Sequence, residues 1–129
     1  MKYLGLDYGK TKIGLSVSEG LTATPLKVVT VRSLGEAVEK IRSEVRRELI
    51  DQLVIGVPES GEARNLVKNF IVRICKYVTV IEFEETLSSR NAFELMLQLG
   101  KGKKERARED AYAATLILQN YLDSLDGEA

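Results

Sequence analysis

The sequence predicts an α/β domain built on a five-stranded mixed sheet flanked by helices, and three observations predict it. Residues 2–18 hold two alternating apolar stretches joined by a tight turn, the pattern of an antiparallel hairpin. Residues 52–57 (QLVIGV) form a continuous apolar run, as expected of a parallel strand covered on both faces. Residues 77–83 (YVTVIEF) are rich in β-branched and aromatic side chains, and helical patterns alternate with these strands.

In the first strand (2–8), Leu4 and Leu6 share one face, and Tyr3, Gly5 and Asp7 the other. Gly9-Lys10-Thr11-Lys12 makes the turn. Residues 12–18 then place Ile13, Leu15 and Val17 inward and Gly14, Ser16 and Ser18 outward, so a half-buried strand is expected. A third strand is expected at 27–31, after Pro25. Ser33-x-x-Glu36 is a capping box that opens a helix with an apolar stripe of Leu34, Ala37, Val38, Ile41, Val45 and Leu49. Pro58 and Gly61 mark the exit from the strand at 52–57. A second helix at 62–76 carries Ala63, Val67, Phe70 and Ile74 in register, with Cys75 read as a buried, inert thiol. Further helices are expected at 88–99 and 105–122, joined by a basic, glycine-containing link. The whole chain, 1–129, reads as a single domain.

Composition narrows the chemistry. The chain has 129 residues, 44% of them hydrophobic and 29% charged, which suits a soluble globular protein. No apolar run approaches a membrane span and no signal peptide is apparent, so a cytoplasmic location without membrane contact is expected. The 19 basic and 19 acidic residues balance, so any polyanion contact must come from a local patch. There is no histidine, which removes imidazole acid–base chemistry and histidine metal sites. One cysteine permits no internal disulfide.

What remains is carboxylate chemistry. Asp7 closes the first strand, Glu84 and Glu85 close the last, and Asp110 stands near the start of the final helix. Parallel strands bring such strand ends to one edge, where ligands of α/β sheets bind. Ala111, Ala113 and Ala114 would let the last helix lie close to the sheet. Carboxylates gathered there repel one another unless a cation sits among them, and an all-oxygen donor set selects Mg²⁺ or Mn²⁺. Each residue has a plainer reading: Asp7 as a turn former, Glu84 and Glu85 as solvated charges, Asp110 as an i,i+4 partner of Arg106. The combination favours a site.

Several segments together resemble one known family. They are 4–17 (LGLDYGKTKIGLSV), Thr24-Pro25-Leu26, Val54-Ile55-Gly56-Val57-Pro58, Glu84-Glu85-Thr86-Leu87-Ser88-Ser89, and Glu109-Asp110-Ala111-Tyr112-Ala113-Ala114 leading into Leu116-Ile117-Leu118-Gln119. In this order they are similar to the motifs of the YqgF/RuvX family over nearly the whole chain. The resemblance implies a ribonuclease H-like fold and a nuclease that matures the 5′ end of 16S ribosomal RNA; an older reading of such proteins is Holliday junction resolvase. Asp7 matches the family's first acidic position and Asp110 the acid of its last helix. The middle motif departs: the family carries Asp-Glu-Arg where this chain has Glu84-Glu85-Thr86. Arg90, about one helical turn on, is the nearest replacement for the missing arginine.

The expected mechanism is metal-assisted phosphodiester hydrolysis, with Asp7, Glu84 and Asp110 holding the metal and Glu85 as an additional catalytic carboxylate. Lys10 and Lys12 in the hairpin turn, Arg64, Arg90 and the cluster Lys101, Lys103, Lys104 would hold substrate phosphates. The expected partner is nucleic acid, either pre-16S rRNA or branched DNA, with ribosomal particles as a further partner and a monomer or weak homodimer as the active form. Two rivals stand beside this. Actin-like kinases place an aspartate and glycines in a similar hairpin but close two such domains around a nucleotide. A binding module that kept the fold and lost the chemistry would explain Glu84-Glu85-Thr86, and metal binding separates it from a nuclease.

Overall fold

The computed structural model describes residues 1–84 and 109–126, the side chains of Glu109, Asp110 and Asp126 excepted. Its elements are β1 (Tyr3–Tyr8), β2 (Lys12–Ser18), β3 (Thr24–Thr30), α1 (Leu34–Arg47), β4 (Gln52–Val57), α2 (Gly61–Ile74), β5 (Thr79–Glu84) and α3 (Glu109–Asp126). The strands form one sheet in the order β3-β2-β1-β4-β5. β1 pairs antiparallel with β2 and parallel with β4, and β4 pairs parallel with β5. The C-terminal ends of β1, β4 and β5 therefore share one edge of the sheet. The helix expected at 88–99 lies outside the described residues. No described helix is long and apolar enough to cross a membrane.

Strand alternation divides the core in two. Leu4, Leu6, Ile13, Leu15, Leu53, Ile55 and Val57 pack against Ala37, Val38 and Ile41 of α1 and Val67, Phe70, Ile71 and Ile74 of α2. Val54 packs on the opposite face with Ile117, Leu118 and Leu122 of α3, joined by Tyr3, Ile81 and Phe83. The sheet is thus a middle layer between α1/α2 and α3.

This second layer corrects the expectation for β2. Gly14, Ser16 and Ser18 do not face solvent; all three are buried. They are small because α3 lies over them, and smallness in a strand pattern reads as polarity when the covering helix is far away in sequence. Gly5 shows the same constraint: a Cβ there would stand 2.3 Å from Ser16 Oγ, 2.8 Å from Leu118 Cβ and 3.0 Å from the Ala114 carbonyl oxygen. Ala111 and Ala114 are correspondingly buried, as their size predicts.

Four further differences are local. β3 starts at Thr24, not 27, and includes Pro25, because β3 is an edge strand whose outer side needs no N–H donor. Leu49 is not on the α1 stripe but 79% exposed. There the chain turns left-handed (φ 56°), Leu49 N–H donates to the Arg46 carbonyl at 3.4 Å and Ile50 N–H to the Val45 carbonyl at 3.0 Å. That is a Schellman closure of α1, made without the usual glycine. Ala63, expected in the buried register of α2, is exposed. Cys75 is exposed as well: α2 ends at Ile74, which takes the buried position, and the Cys75 thiol reaches back to the Val72 carbonyl at 3.3 Å.

Candidate active site

Asp7 reaches its position through the alternation of β1. Leu4 and Leu6 bury on the α1/α2 side, while Tyr3 and Gly5 meet α3, so Asp7 stands on the α3 side at the sheet's C-terminal edge. Tyr8 turns the other way and stacks on Phe70 with ring centroids 4.5 Å apart. Burial pushes its phenol above the ordinary tyrosine range. The chain then turns tightly, with Gly9 N–H donating to the Lys12 carbonyl at 3.0 Å. A Cβ on Gly9 would stand 2.7 Å from that oxygen, which explains the glycine. Lys10 and Lys12 are both exposed in this turn, at the same end of the sheet as Asp7.

α3 runs antiparallel to β1 across the Asp7 face. Tyr121 packs edge-on against Tyr3 at 5.8 Å, and Ala114 and Leu118 lie over Gly5. Extending the same run carries the helix toward Asp7 at its first turn, which begins at Glu109. Position 110 is one turn before Ala114 on the same helical face. Two side chains hold this placement. Ser16 Oγ donates to the Ala114 carbonyl at 2.8 Å, wholly buried. Gln119 accepts from Ala23 N–H at 2.9 Å and donates to the Leu21 carbonyl at 3.0 Å. Neither Ser16 nor Gln119 was legible as a positioning residue. The available signal was the Gly5, Gly14, Ser16 set of small residues and one glutamine inside the apolar run 116–119.

Glu84 ends β5 beside Val57 of β4, at the same edge. Its alternation differs from that of Asp7. Val80 packs with the α1/α2 core and Glu82 pairs with Lys68 of α2, whereas Ile81 and Phe83 face α3. Glu84 shares the parity of Val80 and Glu82, so it leaves the strand on the side opposite Asp7, and it is exposed. Among the described residues no three acidic, histidine or cysteine side chains converge on one point. Arg64 sits in the first turns of α2 and donates to the Pro58 carbonyl at 3.0 Å, so it braces the exit loop of β4 at this edge. Glu85, Arg90, Lys101, Lys103 and Lys104 lie outside the described residues, as does the side chain of Asp110.

A family model described as RuvX, Holliday junction resolvase, matches residues 1–124. The chain belongs to the RuvX family. Relatives within it are close in length. A protein of Syntrophus aciditrophicus, named as a candidate pre-16S rRNA nuclease, is 35% identical over 138 residues, covering 99% of this chain and 92% of that protein. A second of the same name, from Carboxydothermus hydrogenoformans, is 35% identical and covers 95% of this chain and 96% of its own. Among solved structures, RuvC of T. thermophilus in complex with a Holliday junction substrate superposes with a TM-score of 0.64 at 16% identity, covering 98% of this RuvX chain and 96% of RuvC. The fowlpox virus resolvase bound to Holliday junction DNA gives 0.61 at 13% identity, covering 97% and 99%. At these identities the likeness establishes the fold, which is ribonuclease H-like, as the RuvX motifs imply.

Proposed function

We propose that this RuvX chain is a metal-dependent nuclease, a single ribonuclease H-like domain over residues 1–129 that hydrolyses phosphodiester bonds in the 5′-end maturation of pre-16S rRNA. Its relatives' names support the substrate. The observation that carries the chemistry is the course of α3, whose first turn is directed over the sheet face on which Asp7 ends β1. That course supports the reading that Asp7 and Asp110, 103 positions apart in sequence, act together at one sheet edge.

The donor set fits a hard divalent cation. Only carboxylates are on offer, and the chain has no histidine. Asp7 and Asp110 would hold Mg²⁺ or Mn²⁺, with one carboxylate from Glu84-Glu85. Glu84 starts from the α2 side, so the third carboxylate is assigned to Glu85, the additional acid of the sequence motif. When bound, such an ion lowers the pKa of water and stabilises charge on the phosphate. The protein's own contributions are positional. The Gly5–Ser16–Ala114 contact keeps α3 down on the sheet, Tyr8 on Phe70 anchors the strand end behind Asp7, and Lys10 and Lys12 offer phosphate contacts beside it. Arg90 and Lys101, Lys103 and Lys104 would extend that basic rim, and Arg64, which has no second partner among the described residues, would offer its remaining donors to phosphate. Nucleic acid is the macromolecular partner, and precursor ribosomal particles are the setting in which it is met.

One observation favours a second reading. Glu84, which replaces the family's aspartate, faces away from Asp7, and a binding module with weakened catalysis would tolerate that. The deciding experiment incubates the protein with a labelled 16S precursor and with a four-way DNA junction, each with and without Mg²⁺ or Mn²⁺. Metal-dependent cleavage of the precursor supports the proposal. Cleavage of the junction alone makes the chain a resolvase, and binding without cleavage under either metal makes it a module.

A further inference from the structure

The opposite edge of the sheet carries a second cationic feature. Between the C-terminal halves of α1 and α2 lies a cavity of about 140 Å³ lined by Arg42, Val45, Arg46, Ile74, Tyr77 and Val78. Val78 immediately precedes β5, so the cavity is at the N-terminal edge, separated from the Asp7 edge by the length of a six-residue strand, about 20 Å. The Arg42 guanidinium lies 3.8 Å above the centre of the Tyr77 ring. Glu39 takes one of its N–H groups at 3.2 Å, which leaves most of the five donors of the fork. Arg46 stands one helical turn further on the same face of α1, exposed and without an ion pair among the described residues. Arg73 and Lys76, exposed at the end of α2, also have no ion pair among the described residues.

We propose that this cavity is an accessory nucleic-acid anchor that holds a backbone phosphate of a single-stranded segment of the substrate. The proposal rests on the nuclease reading for the identity of the strand. Two features select the ligand. A guanidinium held over an aromatic ring retains N–H donors for phosphate recognition, and a second arginine one turn away adds charge. The cavity is small and opens to solvent beside the exposed Arg46 and Tyr77, where a phosphate can reach it. Val45 and Val78, both half-buried, give the sugar an apolar wall. Because the protein is neutral overall, such local clusters must carry its affinity for polyanions.

The test measures binding of a fluorescent single-stranded RNA to the full chain by anisotropy across a salt series. Arg42→Gln with Arg46→Gln should weaken binding about tenfold and reduce the salt slope by about 0.7 for each phosphate that is no longer neutralised. Glu39→Gln should tighten binding, an effect that a purely structural role for Arg42 does not predict. If the double variant melts early, Arg46→Gln alone serves, since its side chain is exposed. Unchanged affinity and slope in these variants overturn the anchor, even if the protein cleaves its precursor. Loss of poly-glutamate binding with RNA binding intact also overturns it, in favour of an acidic protein partner. Conversely, weakened RNA binding in a protein that cleaves nothing under any metal keeps the anchor and removes the nuclease.

Discussion

The Ser16 hydroxyl donates a 2.8 Å hydrogen bond to the Ala114 carbonyl, 98 positions later, and so ties the second strand to the last helix from inside the core. Gly5 sits directly beneath the same contact. Whatever α3 contributes at the Asp7 edge depends on this closeness. Gly5→Ala should therefore cost about 1–3 kcal/mol through overpacking, because the Ala114 oxygen is backbone and cannot turn aside. Ser16→Ala should cost about 1 kcal/mol, the worth of one buried bond. Chemical denaturation reads both. Cleavage by the Gly5 variant, measured where it is still folded, should fall by far more than its stability does, since small displacements of reacting groups are expensive.

The end of α1 offers the opposite sign. Leu49 holds a left-handed conformation that glycine adopts freely, and its side chain is 79% exposed. Leu49→Gly should stabilise the protein by about 1 kcal/mol, raising the melting temperature by a few degrees. A loss of stability on that change would mean the Leu49 side chain packs on something beyond the described residues.

Glu44 is a buried carboxylate whose Oε1 accepts from Lys27 at 2.9 Å and lies 3.4 Å from Arg47, while its Oε2 has no hydrogen-bond partner among the described residues. Lys27→Ala should cost about 1–2 kcal/mol, less than for a wholly dry pair because Lys27 is about one-third exposed and Arg47 remains. Replacing the pair together, Lys27→Met with Glu44→Leu, should recover that loss or exceed it. Thermal melts of the single and double variants check this.

Much of this was legible from residue order. The paired alternation of 2–8 and 12–18, the apolar run 52–57 and the capping box at Ser33 each led to the element found there, and the parallel sense of β1, β4 and β5 follows from the helices between them. What could not be read was the second layer. Gly14, Ser16 and Ser18 look solvent-facing because the helix that covers them comes about 100 residues later. Leu49 kept the periodicity of α1 yet left the stripe because a backbone turn, not a side-chain preference, ends that helix. At the site, Asp7 followed directly from strand parity. The facing of Glu84 did not, since it depends on the parity of β5, and that needed the contacts of Glu82 with Lys68 and Val80 with the core.

That parity yields a comparison between neighbours. Glu84→Gln should leave most cleavage activity in place, within about threefold, whereas Glu85→Gln should lower it about a hundredfold or more, as expected when one carboxylate of a metal site is neutralised. Initial rates at saturating Mg²⁺, with melting temperatures alongside, decide between them. Equal losses would give both residues a place in the site, and a loss confined to Glu84 would return the metal to the assignment read from sequence.

If the Asp7 edge is a metal-dependent cleavage site, Asp7 itself is the residue whose change should abolish cleavage. Asp7→Asn keeps shape, removes one negative charge, and leaves the core faces of β1 to Leu4 and Leu6 untouched. The measurement is the rate of precursor 16S rRNA cleavage by this variant and by the unmodified protein, at matched thermal stability and over a titration of Mn²⁺. A loss of at least a hundredfold at low metal is expected, with affinity for the RNA preserved by basic residues the change does not touch. Cleavage at the unmodified rate across the whole titration would contradict it.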